Sequence, residues 1–132
     1  MEKDKEYYLK LIQSNGRWIS RIPEEFRNDK DIITALLKKN GYSLLYLSKY
    51  YRDQEDLVKV ALKNCGYALP YVSERLKQNR EIVMIAVKSF PLSISYAPSI
   101  LKKDREIALE AIKRNGMTFR YISEELRMDP DL

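Results

Sequence analysis

Between Asp104 and Met128 the chain reads DREIALEAIKRNGMTFRYISEELRM, and its apolar residues are spaced like those of a helix. Ile107, Ala111 and Ile112 fall at i, i+4 and i+5, and Ile82, Ala86 and Val87 do the same 25 residues upstream. Such spacing puts one apolar stripe on a helix of about eleven residues. A second apolar set follows, Phe119, Ile122 and Leu126 here and Leu69, Val72 and Leu76 earlier, with 3-then-4 spacing that is again helical. Pro23, Pro70 and Pro98 interrupt this second segment. Proline is tolerated mainly in a first helical turn, so the second helix is expected to be short, irregular or partly 3₁₀.

The polar positions punctuate the same pattern. Each copy opens on Asp4, Asp29, Gln54 (after Asp53), Asn79 or Asp104, side chains suited to accept from the orphan N–H groups that start a helix. An acid follows two residues later (Glu6, Asp31, Asp56, Glu81, Glu106), and Lys38, Lys63, Lys88 and Lys113 stand near the helix end, with Gln13 the exception. Both placements complement the helix dipole. Ser73-Glu74 and Ser123-Glu124 are set to cap a further turn. Gly16, Gly41, Gly66, Pro91 and Gly116 lie 25 residues apart, where a left-handed C′ residue would favour glycine. The turn at Pro91 is therefore expected to differ.

The chain thus divides into copies at 4–28, 29–53, 54–78, 79–103 and 104–128 without insertion or deletion, and a partial sixth begins at 129–132. One isolated pair of short helices cannot bury its apolar face in water, so the copies must stack. The expected fold is all-α, an α-solenoid of five 25-residue helix-turn-helix repeats forming a single domain over 1–132, right-handed and with small residues (Ala61, Ala86, Ala111) at the closest contacts. The unfinished sixth copy leaves the last apolar face uncovered. It points to end-to-end self-association through the C-terminal repeat, to a partner there, or to a piece cut from a longer chain.

These columns resemble the tandem-repeat family known as domain of unknown function 4116. Its units combine D-[KR]-E, an apolar stripe with alanine, K-x-N-G, and Y-x-S-E-x-L before a basic residue. DREIALEAIKRNG with YISEEL matches best, and QEDLVKVALKNCG with YVSERL nearly as well. The fourth copy departs with Phe90-Pro91 in place of Asn-Gly, and the first with Arg21 in place of the tyrosine. The resemblance implies all-α repeats and brings no active site.

Composition narrows the chemistry. The 132 residues include no histidine and one cysteine, Cys65, which excludes intrachain disulfides, Cys/His zinc sites, Ser-His-Asp triads and Cys-His dyads. No cofactor and no catalytic activity are expected; Glu124-Glu125 belongs to the capping pattern, and Cys65 reads as a partly buried small residue. No apolar run approaches the roughly 20 residues of a membrane span. The chain reads as soluble and cytoplasmic, with secretion as an effector left open.

Two sets of columns carry the functional expectation. Tyr46, Tyr71, Tyr96 and Tyr121 project away from the apolar stripe of the second helix and are flanked by Tyr42, Tyr67 and Trp18. They either pack between copies or form an exposed aromatic ladder. Arg27, Arg52, Lys77, Lys102 and Arg127 form one line of cations, and the lysines at the first-helix ends form another. Such lines either neutralise nearby acids and helix ends or track a phosphate backbone. At net +5 the chain is only mildly basic. The expected function is therefore a non-catalytic protein-protein interaction module, of the kind a pathogen or phage uses to occupy a target. RNA or single-stranded nucleic-acid binding through the basic columns and aromatic ladder is the alternative.

Overall fold

The computed structural model describes residues 4–14 and 22–132, which form ten α-helices and four 3₁₀ segments and contain no strand. The expectations for Gly16, Trp18, Ile19 and Arg21 lie outside the described residues. Each copy begins with a ten-residue helix: α1 (Lys5–Ser14), α3 (Lys30–Lys39), α5 (Glu55–Asn64), α7 (Arg80–Ser89) and α9 (Arg105–Arg114). The second half is no single helix. A six-residue 3₁₀ segment (Gly41–Tyr46, Gly66–Tyr71, Pro91–Tyr96, Gly116–Tyr121) leads into a four-residue helix. The short helices are α2 (Glu24–Arg27), α4 (Lys49–Arg52), α6 (Glu74–Lys77), α8 (Ser99–Lys102) and α10 (Glu124–Arg127).

Caps explain most boundaries. Asp29, Asn79 and Asp104 accept from N–H groups of the first turn, and Ser73 and Ser123 accept from Leu76 and Leu126 at the short helices. Gln54 makes no such cap. Its longer side chain turns back and donates to the carbonyl of Tyr50 at 3.3 Å. Three prolines fall where a missing N–H costs least, Pro23 and Pro98 preceding α2 and α8 and Pro91 opening its 3₁₀ segment, whereas Pro70 lies inside its 3₁₀ segment.

The long helices bury two stripes. Ile32 and Leu36 join Tyr8 and Ile12 of the preceding copy, while Ile33 and Leu37 join Leu57, Val58, Ala61 and Leu62 of the following one. Ile82 and Ala86 likewise face back, and Val83 and Val87 face forward to Ile107, Ala108 and Ala111. The forward positions Ile33, Val58, Val83 and Ala108 are invisible to the i, i+4, i+5 reading, because they matter only once a next copy is present. Long helices contact the long helices of adjacent copies, and 3₁₀ segments contact 3₁₀ segments.

The glycines correct the expectation of left-handed turns. No described residue, glycine included, has a positive φ. Gly41 and Gly66 are instead places of close approach, where a Cβ would lie 2.2 Å from the carbonyl oxygen of Ala61 and 2.3 Å from that of Ala86. Ser93 seals the second contact by donating its buried hydroxyl to the carbonyl of Gly66 at 2.8 Å. The turn at Pro91 does not differ either: Phe90 before it has φ −146°, Asn40 before Gly41 has −150°, and both lead into a 3₁₀ segment. Proline fits there because φ is negative.

At the C-terminus Asp129 opens a turn much as Asp29 opens α3. The N–H of Asp131 donates to Asp129 Oδ1 at 2.8 Å, as that of Asp31 does to Asp29 at 2.9 Å. Leu132 packs against the last apolar cluster, while Met117 and Met128 stay 64% and 80% exposed.

Candidate functional site

The 3₁₀ segments carry the tyrosines, and the structure divides them. Tyr46, Tyr67 and Tyr96 are 67%, 47% and 47% exposed. Tyr42, Tyr71 and Tyr121 are half-buried. Tyr42 lies 5.5 Å from the ring of Tyr67 and 5.4 Å from that of Tyr71, edge-on to the latter, and its hydroxyl shares a 3.0 Å hydrogen bond with Tyr71. That bond raises the Tyr42 pKa above the usual tyrosine value. Tyr67 in turn meets Phe90 edge-on at 5.6 Å. Three copies are thus joined by one run of rings, with half of the predicted column as packing and half as surface. Phe90 belongs to this run, although in the sequence it is only a departure from Asn-Gly.

Two matching grooves open beside the rings. One of about 350 Å³ is lined by Glu24, Arg27, Asn28, Tyr46, Leu47, Ser48 and Tyr51. The other, of about 320 Å³, is lined by Lys49, Arg52, Pro70, Tyr71, Val72, Ser73, Glu74 and Lys77. Five pairs, Glu24/Lys49, Arg27/Arg52, Tyr46/Tyr71, Leu47/Val72 and Ser48/Ser73, are 25 residues apart, so the groove itself repeats. The tyrosine column and the first basic column therefore share one face.

The cations on that face are largely engaged. Arg27 Nε donates to the carbonyl of Ile22 at 2.6 Å, and Arg52 Nε to that of Leu47 at 2.9 Å, each tying its short helix to the end of the preceding segment. Lys77 pairs with Glu74 at 3.0 Å. Lys102 lends its backbone carbonyl to Ser123, as Arg52 does to Ser73. Arg127 is exposed.

A second electrostatic feature escaped the sequence reading. Lys5 pairs with Asp29 and Asp31 of the next copy at 3.1 and 2.7 Å, Lys30 with Asp56 at 2.8 Å, Arg80 with Asp104 and Glu106, and Arg105 with Asp129. The base after each cap position reaches forward one copy. Glu55 breaks the series, and Lys59 substitutes by bridging Glu55 and Glu81. The alternation of bases and acids was legible, but its partners lie 24 to 26 residues away. Arg80 holds the Asp104 carboxyl below the usual range.

Burial pushes the Cys65 thiol up. Among the described residues no acid and cysteine side chains cluster as metal ligands would, and no helix is long and apolar enough to cross a membrane.

No curated protein and no solved structure matches the chain. The family described as domain of unknown function 4116 matches at 4–52, 55–102 and 104–132, leaving out only 1–3, 53–54 and 103. The three matches start near residues 4, 54 and 104, so each full match spans two of the 25-residue copies. With nearly every residue covered, the chain belongs to this family of tandem repeats.

Proposed function

We propose that this chain is a non-catalytic α-solenoid of five stacked repeats that binds a protein partner through its 3₁₀ face. The observation that carries this reading is the exposure of Tyr46, Tyr67 and Tyr96 around a framework of packed rings. Exposed tyrosines offer apolar area and a hydroxyl at low conformational-entropy cost, and such anchors dominate interfaces; Tyr67 is in addition held between Tyr42 and Phe90. The solenoid reading is supported by contacts that run between adjacent copies and by apolar clusters that each span neighbours. A protein partner is favoured over nucleic acid because Arg27, Arg52 and Lys77 on this face already serve internal carbonyls and a carboxylate. The absence of histidine and the burial of Cys65 support a role without catalysis.

The test is a comparison of proteins captured from the native cell by the wild-type chain and by Tyr46→Ala/Tyr96→Ala. Both substitutions are at exposed rings, so helicity should be unchanged. The expected outcome is a set of bound proteins that survives nuclease treatment and is lost with the double variant. A folded double variant that keeps every bound protein overturns the proposal, and loss of capture on nuclease treatment favours nucleic acid.

A further inference from the structure

The two basic columns, equivalent in the sequence, have different fates. In the short-helix column Arg27 and Arg52 are tied to carbonyls and Lys77 to Glu74. Lys38, Lys63, Lys88 and Lys113, at the C-terminal ends of the long helices, are all exposed. None of these four side chains makes an ion pair or hydrogen bond among the described residues. Their N-terminal counterparts Lys5, Lys30, Arg80 and Arg105 are all paired. Few acids share this edge: Asp31 is paired with Lys5 at 2.7 Å, Glu110 is bonded to Arg114 at 2.6 Å, and Lys88 and Lys113 add only a weaker field to Glu110. A groove of about 400 Å³ between α1 and α3 also opens here, lined by Gln13, Asp31, Thr34, Ala35, Lys38 and Lys39.

We propose that this lysine line is a docking strip for an extended acidic protein segment carrying a carboxylate at about every third residue. Packed helices sit roughly 8–10 Å apart, so the line offers one cation per such step. Three extended residues cover about 10 Å. A strand within a duplex advances a phosphate every ~3.4 Å along the axis, several for each lysine, and asks for a denser line. Tyr42, Tyr67 and Phe90, the rings just beyond these helix ends in the sequence, meet one another tilted or edge-on and so form no parallel series on which successive bases could stack. Lysine suits a carboxylate met at varying angles, being a flexible point charge. The strip adjoins the 3₁₀ face at Tyr67, four residues beyond Lys63, but it does not need Tyr46 or Tyr96, so the two surfaces are tested by different substitutions.

Fluorescence anisotropy at low ionic strength with the full chain tests it. The probes are a dye-labelled peptide of repeated Asp-Gly-Ser triplets, a peptide of the same composition with its aspartates contiguous, and an oligothymidylate of similar length. The spaced peptide should bind about fivefold tighter than the contiguous one. Lys63→Glu/Lys88→Glu should weaken it at least about tenfold, as expected for several exposed ion pairs of modest strength acting together. Lys103→Glu, at an exposed lysine off the line and outside the grooves, should leave the difference between the two peptides intact. Equal affinity for the two peptides, tighter binding of the oligothymidylate, or no binding of the spaced peptide overturns the proposal. Circular dichroism confirms that each variant is folded, and none of these lysines holds a structural contact whose loss would unfold it.

Discussion

The turn at Gly66 and the turn at Gly116 have the same local shape and opposite surroundings. Both follow a ten-residue helix, both open a 3₁₀ segment, and both have negative φ. A Cβ on Gly66 would strike the backbone of Ala86 and Phe90, whereas one on Gly116 meets nothing within 4 Å. What requires glycine in the interior is therefore the next copy and not the turn. Pro91 supports the second half of this, since its turn keeps the same shape with a Cβ present; the first half holds for Gly41 and Gly66, whereas the copy after Pro91 leaves room for its ring.

The most direct way to break this comparison is Gly66→Ala. It should cost about 2–3 kcal/mol, because a helix backbone must shift to admit the methyl group. Gly116→Ala should be neutral or stabilising by up to about 1 kcal/mol, since a compatible Gly→Ala change mainly restricts the unfolded chain. Urea melts of the two variants decide it, and equal losses would mean that the turn itself needs glycine.

Ser93→Ala sharpens the same contrast at smaller scale. It leaves the carbonyl of Gly66 without its side-chain donor inside the interface, at a cost of about 1–2 kcal/mol. Ser95→Ala, which removes a hydroxyl bonded only to Leu92 of its own segment, should cost less.

The smallest effect concerns the forward-reaching ion pairs. Arg80→Ala should cost less than Gly66→Ala or Ser93→Ala, because Arg80 and Glu106 are 46% and 74% exposed and only Asp104 is shielded. Its signature is in the pH dependence. Asp104 has a lowered pKa in the folded chain, so its stabilisation is present above the ordinary aspartate value of about 3.9 and is lost as pH falls through the lowered value. Stability measured between neutral pH and about pH 2 should therefore fall less steeply in Arg80→Ala than in the wild type.

The period, the long helices, most caps and the alanine contacts were legible because each follows from local spacing or from one helix needing a neighbour. Glycine was misread because it has two uses, freedom at positive φ and absence of a side chain, and only the position of Ala86 tells them apart. The same limit explains the tyrosines: Tyr42 and Tyr46 differ in exposure according to whether a ring of the next copy lies beside them. The cation columns were equally ambiguous, since the bonds that engage Arg52 depend on the path of the chain back to Leu47 and Leu45.

The forward-reaching base also gives the chain a reading direction with implications for how its length can change over generations. Because each copy extends a cation ahead and presents its own acids behind, whole 25-residue units are interchangeable parts that can be duplicated or removed without rewriting the join. The copy at 54–78 is the exception, since Glu55 forces Lys59 to make the link to Glu81. A duplication that places that unit before any copy with an acid at the equivalent of Glu81 would still close, whereas a cut inside a unit would leave a fastening with only one half.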